Sequence, residues 1–435
     1  MRISALCAVA LLGILWSESL AAPLSGSWNS RLLLILDGPQ PKIAQPPFAF
    51  DSVLRLDLSV SGLQIRSLTA LSTVGVEAQV FTLSATLGAL TLTDIFLFSR
   101  NVVEADQNLQ IKLVRPDPGG VVGQYLPIFY KDLVTPYAQL ALLLGPTLTE
   151  SVALRKKIVE AQMVLGGVTV RTVGLIANFG SAGAPQWEVG AVLTLRGQTV
   201  SGVTVQSDTY IGARRGLECV GECLPEFQFS QGRVVSGLDF EYERLTVSNI
   251  RFSGVTINLD AAVNLNDAEG SIGIEYLQIT SSFRVEPLAL DITDILYFDS
   301  DLAISSHTLI TSWSVGDAFV TAIWTDTLGG IVFSLREFLT SLSLGGVSIT
   351  SDLFVCAADA GCFGLDPIYQ HDVQLAFKSG PWAADLLIVL LGLVKPLDKI
   401  VLTISYTEKG WGWRAGTAIQ PSGLKVQEFF VNLSF

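Results

Sequence analysis

Two histidines, a short run rich in aspartate and two close cysteine pairs are the residues with which this 435-residue chain could do chemistry. His307 follows Ser305 and Ser306, and His371 precedes Asp372, so the residue types of a nucleophile, a base and an orienting carboxylate are present. The chain has no Gly-x-Ser-x-Gly elbow, no His/Glu pair at zincin spacing and no Gly-rich loop running into a Lys. A histidine next to an aspartate on a strand then reads as a hydrogen-bonded side chain, and no catalytic residue or cofactor is assigned. Asp291, Asp294, Asp299 and Asp301 fall in one strand-and-turn segment. They read as a solvated turn flanked by polar strand positions, with a calcium site as the rival.

The elements that carry these residues are short and follow the strand period. In Trp187–Arg196, the residues Trp187, Val189, Ala191, Leu193 and Leu195 share one face. Glu188, Gly190, Thr194 and Arg196 share the other, with Val192 as an apolar exception. Val203–Ile211 and Asp372–Lys378 alternate in the same way. Hydrophobic residues make up 49% of the chain and charged residues 15%, against about 25% charged in ordinary soluble domains. Yet no stretch beyond the first twenty residues has the length of a spanning helix. Apolar content spread over many short alternating segments fits strands that face lipid, or strands buried in packed sheets.

The segments also repeat. Val60-Ser-Gly-Leu-Gln-Ile is similar to Phe252-Ser-Gly-Val-Thr-Ile, and Ala89–Phe98 is similar to Ala289–Phe298, in the same order and at an offset near 200 residues. Val200–Asp208 is similar to Leu344–Asp352, and Leu165-Gly-Gly-Val-Thr-Val is a further copy. The unit is a Ser-Gly or Gly-Gly turn followed by an alternating strand, which predicts an architecture of repeated hairpins. Two regions depart from it. Residues 116–166 are predicted to form a helical or irregular insert, a plug or a long loop. Within it, Thr149–Leu165 carries a helical stripe of Leu154, Ile158, Ala161 and Leu165, although Val159, Ala161, Met163 and Leu165 also alternate. Trp382–Leu397 is Leu-rich and reads as a short helix or as a strand apolar on both faces.

The two ends of the chain supply context. Arg2, the uncharged run Ala5–Trp16, and the small residues Ser19 and Ala21 form a secretory signal peptide over residues 1–21, leaving 22–435 as the mature body. At the other end Phe429, Val431, Leu433 and Phe435 form one apolar face of a final strand. This segment resembles the C-terminal signal strand of bacterial outer-membrane β-barrels, which ends on Phe with apolar residues at alternate positions. The resemblance implies an all-β fold, a large antiparallel barrel, recognition by the outer-membrane assembly machinery, and membrane lipid as a partner. At about 9–11 residues per strand the chain would supply on the order of twenty to thirty strands. Trp187, Trp313, Trp324, Trp382, Trp411 and Trp413 near strand ends would serve as interfacial aromatics. Function would be passive or selective passage across the outer membrane. A mean hydropathy of +0.49 is high for a barrel with a polar lumen and points to hydrophobic cargo or to no lumen. The alternative is a secreted or surface-attached all-β structural protein of packed sheets or a solenoid. A formal net charge of −13 with no basic stripe excludes nucleic acid as a partner class.

Export also bears on the cysteines. Cys219 with Cys223, and Cys356 with Cys362, read as two disulfides closing small loops, with a four-thiolate zinc site as the rival. Mass mapping of unreduced peptides should show Cys219–Cys223 and Cys356–Cys362 as separate links. Free thiols or crossed pairs would refute this. Loops so short constrain the unfolded chain little, so losing one link should cost less than the ~3 kcal/mol of a 15-residue loop.

Overall fold

A spanning strand in hydrocarbon has no water to receive its peptide groups, so each of its edges must find another strand. The computed structural model shows how this chain meets that demand. It describes residues 24–35, 48–72, 75–99, 103–105, 111–113, 152–178, 184–185, 187–212, 240–265, 272–286, 288–326, 333–355, 368–391 and 395–435. The strands are β1 Leu24–Ile35, β2 Phe48–Val60, β3 Leu63–Ser72, β4 Gly75–Leu87, β5 Leu90–Ser99, β6 Val103–Ala105, β7 Ile111–Leu113 and β8 Ala153–Leu165. There follow β9 Val168–Asn178, β10 Trp187–Gln198, β11 Thr204–Ile211, β12 Phe240–Phe252, β13 Val255–Asn264, β14 Gly273–Val285, β15 Leu290–Phe298 and β16 Ile304–Val315. The last are β17 Ala318–Asp326, β18 Phe333–Leu344, β19 Val347–Val355, β20 Ile368–Ser379, β21 Trp382–Leu391, β22 Lys395–Glu408, β23 Trp411–Gln420 and β24 Gly423–Ser434.

All but β6 and β7, which form a small separate hairpin, join one 22-stranded antiparallel sheet. The sheet closes on itself, because β24 pairs with β1 from Ser27↔Ser434 to Ile35↔Val426. Beyond that ladder, the Gly26 amide donates to the Phe435 carbonyl at 2.8 Å, and the Phe435 amide donates back to Gly26 at 3.0 Å. Packed sheets and a solenoid are therefore not the architecture. No helix among the described residues is long and apolar enough to cross a membrane, and the crossing elements are strands.

The two rims differ. At one, where β1 starts and β24 ends, no connection exceeds five residues, and most are two-residue turns. Ser61 and Gly62 have φ of 49° and 85°, and Ser253 and Gly254 have 48° and 85°. Two consecutive left-handed residues make the turn whose twist matches its flanking strands, and Gly takes this conformation at little cost. At the opposite rim lie the long connections, including 36–47, 100–152, 213–239 and 356–367. The four cysteines of the two pairs sit in the last two of these and lie outside the described residues, as do residues 1–23 with Cys7.

Each strand is sided. Along β13, Val255, Ile257, Leu259, Ala261 and Val263 face outward, whereas Thr256, Asn258, Asp260, Ala262 and Asn264 face the lumen. Exposed apolar side chains such as Leu92, Val159, Leu195, Leu245, Leu402 and Phe429 surround the ring on its outer face. Trp382, Tyr406, Trp411 and Trp413 form one outer cluster near the tight-turn rim, with ring centroids 4.9–5.8 Å apart. An apolar outer wall on a closed ring is what hydrocarbon requires. The chain folds as a closed 22-stranded antiparallel β-barrel with a lipid-facing outer wall.

The insert expected over 116–166 needs correction at its end. Residues 153–165 are barrel strand β8, held between β5 and β9. Here the alternation of Val159, Ala161, Met163 and Leu165 prevails over the helical stripe. Pairing on both edges satisfies the backbone, and Glu160 on the lumen side meets Arg171 at 2.6 Å. Residues 116–151 of that segment lie outside the described residues. Trp382–Leu391 is strand β21, apolar on both faces because Leu387 and Val389 point inward where other strands place polar residues.

Sidedness predicts unequal tolerance in β10. Leu193→Arg places a cation in the outer wall and should reduce insertion, at about 2–4 kcal/mol for a midplane position. Thr194→Arg faces the lumen beside Asp208 and should insert as the native protein does. Heat-modifiable migration reports insertion. Spin labels at 193 and 194 should be relaxed by oxygen and by a polar nickel reagent, respectively; the reverse pattern would mean the wall is turned inside out.

Candidate functional site: the lumen wall

The inner face is built from every second residue of all 22 strands, so its chemistry is distributed around a ring. Hydroxyl pairs join neighbouring strands: Ser84 with Thr93, Ser282 with Thr293 and Ser312 with Thr321, each at 3.1 Å. The first two occupy equivalent places in the two sequence copies. Between them run ion pairs. Asp57 receives Arg55 at 2.7 Å and Arg66 at 2.6 Å. Asp260 takes both ends of the Arg244 guanidinium at 2.7 and 2.5 Å, and the Tyr276 hydroxyl donates to it at 3.2 Å. Near the closing seam, buried Arg414 donates to buried Glu428 at 2.9 Å.

Charge is unevenly placed around the ring. Register puts Glu337, Asp352, Asp372 and Asp385 on the lumen side of β18–β21. Gln370 donates to Asp372 at 2.9 Å and Gln374 to Asp385 at 3.2 Å. Lumen arginines are spread more widely, with Arg55 and Arg66 on β2 and β3, Arg171 on β9, Arg244 on β12, Arg284 on β14 and Arg414 on β23. A concave pocket of about 450 Å³ opens on the lumen face of β8–β11 toward the tight-turn rim. Its lining includes Arg171, Arg196, Gln162, Gln198, Gln206 and Asp208. Arg171 is tied to Glu160, and Asp208 accepts from Thr194 at 2.6 Å and from Gln206 at 2.8 Å. Arg196 is exposed to the lumen. Val192 and Tyr210 of the same lining pack with Ala262, Tyr276 and Tyr297 into an apolar inner patch, which explains the break in alternation at Val192.

The residues singled out by type are dispersed by this wall. His307 and His371 both lie on the outer face. His307 Nε2 is 2.6 Å from Asp294, and His371 Nε2 is 2.8 Å from the Ser351 hydroxyl. Asp372, next to His371 in sequence, points to the opposite side, so no Ser-His-Asp constellation is assembled from them. The aspartates of 291–301 separate likewise: Asp291 meets Arg284 at 3.1 Å on the lumen side, Asp294 faces out, and Asp299 caps its own turn by accepting the amides of Asp301 and Ala303. Phe429, Val431, Leu433 and Phe435 share the outer face of the closing strand, as their spacing predicts. The lumen ion pairs were not singled out in the sequence. Their signal is a charged residue at a polar position of an alternating strand, facing an opposite charge on the next.

No family model matches the chain, and no curated protein does. Among solved structures it is similar to a mutant of the ferric enterobactin receptor PfeA of Pseudomonas aeruginosa, at 9% identity and a TM-score of 0.48, covering 95% of this chain and 81% of that one. It is similar to a mutant Rh. blastica porin at 10% identity and a TM-score of 0.33, covering 95% and 99%. The translocation pore of the P pilus usher PapC matches at 10% identity and a TM-score of 0.39, covering 94% and 99%.

The pocket's charge is testable. Arg196→Glu replaces an exposed lumen cation with an anion and should shift the reversal potential of the reconstituted barrel toward cation selectivity. Arg251→Glu, close to a turn outside the pocket, should shift it less. Equal shifts would show that the pocket does not border the ion path.

Proposed function

We propose that this barrel is a passive conduit through which small polar solutes cross the outer membrane. The observation that carries this reading is the division of the wall. Apolar residues of the strands are mostly spent on the outer face, and the inner face bears hydroxyls, amides and ion pairs. The exposed inner side chains are mainly polar, and inner apolar residues such as Ile95, Leu97, Val389 and Val401 are themselves buried, which favours polar solutes over the hydrophobic cargo suggested by composition. A ring of this size is wider than its wall side chains can fill. The rim of tight turns faces the periplasm and the rim of long connections faces outside, by the usual habit of such barrels. Residues 1–21 act as the export leader. Phe429, Val431, Leu433 and Phe435 are read by the assembly machinery, and the two cysteine pairs close small loops at the outer rim.

Liposome swelling tests the proposal. Vesicles carrying the purified barrel should swell in isotonic pentose and hexose, more slowly in trisaccharide, and protein-free vesicles should not. Planar bilayers should show ohmic steps. A barrel that is inserted, as judged by heat-modifiable migration, yet gives neither swelling nor conductance would overturn the reading.

A further inference from the structure

The outer wall carries charge where lipid offers no partner. Asp94 on β5 lies between the outward residues Leu92 and Phe96, and its carboxylate is 3.3 Å from the Lys157 ammonium on β8. Lys157 also sits 4.6 Å from the centre of the Phe96 ring. Outward Leu92 and Val159 flank the pair and are exposed. The same device recurs on β15 and β16, where Asp294 meets His307 at 2.6 Å. Asp94 stands opposite Val159 and Lys157 opposite Phe96; Asp294 stands opposite Leu309 and His307 opposite Leu296. Each pair is thus one diagonal of an antiparallel ladder, set at the same distance from the tight-turn rim. Asp94 and Asp294 are equivalent residues of the two sequence copies. Ten labels separate β5 from β15, which is eight strands of the barrel once β6 and β7 are left out.

Both pairs remain partly open. The four side chains keep between 26% and 35% exposure. In hydrocarbon, polar groups must be satisfied by protein. We infer that these two faces are contact surfaces between copies of this barrel, with a second copy as the occupant. Charge complementarity supports it. Copies in one membrane insert the same way up, so a twofold axis relating them runs along the membrane normal. That rotation preserves depth and exchanges left with right. It sets Asp94 of one copy against Lys157 of the other, and the reverse, closing a square of alternating charges. The β15–β16 face has the same diagonal placement of acid and base, which offers a second neighbour a hydrogen-bonding face of the same layout.

Cysteine cross-linking in native membranes tests this. Val159→Cys should give a cross-linked dimer with a short bifunctional maleimide, and Leu402→Cys, equally outward on the remote strand β22, should not. The doubly exchanged variant Asp94→Lys with Lys157→Asp keeps the internal pair and should insert normally. It should cross-link to itself as the native layout does. Mixed with the native layout under distinguishable tags, it should give at least tenfold fewer mixed dimers, because like charges then face each other. Mixed dimers at the statistical level would overturn the inference. So would no cross-linking at 159 above that at 402, with a spin label at 159 as accessible to oxygen as one at 402, since lipid would then cover the face. If the exchanged variant does not insert, Asp94→Asn with Lys157→Met replaces it; cross-linking from Val159→Cys should then fall to the 402 level, and undiminished cross-linking would overturn the inference. None of these readings depends on what passes through the lumen.

Discussion

Closure between β24 and β1 is the constraint on which the rest depends. A sheet in hydrocarbon cannot leave an edge open, because each unpaired peptide group there costs several kcal/mol. Pairing from Ser27↔Ser434 to Ile35↔Val426 turns two edges into a ladder. Once the ring is closed it has an inside and an outside, and the strand period distributes every side chain between them. Register is then fixed at every seam, since a slip of one residue would turn apolar side chains inward and ion pairs outward.

This division relates composition to purpose. Asp260, Arg244 and Tyr276 form one inward network, while Leu259, Leu245 and Leu277 on the same strands face out. The wall has little interior of its own, and its most buried residues, such as Leu97, Val401 and Ala418, lie on the inner side of the sheet. Stability therefore rests on backbone pairing and on the membrane more than on a packed core.

The all-β class, the alternation of β10 and the hairpin repeats were legible in the sequence because each is local: period two, Ser-Gly turns, apolar residues at 429, 431, 433 and 435. Strand β8 was obscured because Leu154, Ile158, Ala161 and Leu165 satisfy a helical period too, and only pairing with β5 and β9 decides between them. Strand β21 was obscured by apolar residues on both faces. The aspartates of 291–301 looked like one cluster because distance along the chain ignores the wall that separates Asp291 from Asp294. Lumen ion pairs such as Arg171–Glu160 join different strands, and their partners become neighbours only when register is known.

The eight-strand step between the sequence copies has a geometric consequence. Val60–Leu63 and Phe252–Val255 are turns eight barrel strands apart, as are the turns at 198–204 and 344–347. Eight does not divide 22, so two full copies leave a six-strand remainder. No rotation maps such a ring onto itself, and like azimuths recur once but not a third time. The bore is therefore eccentric in its chemistry, with unequal walls on its several sides.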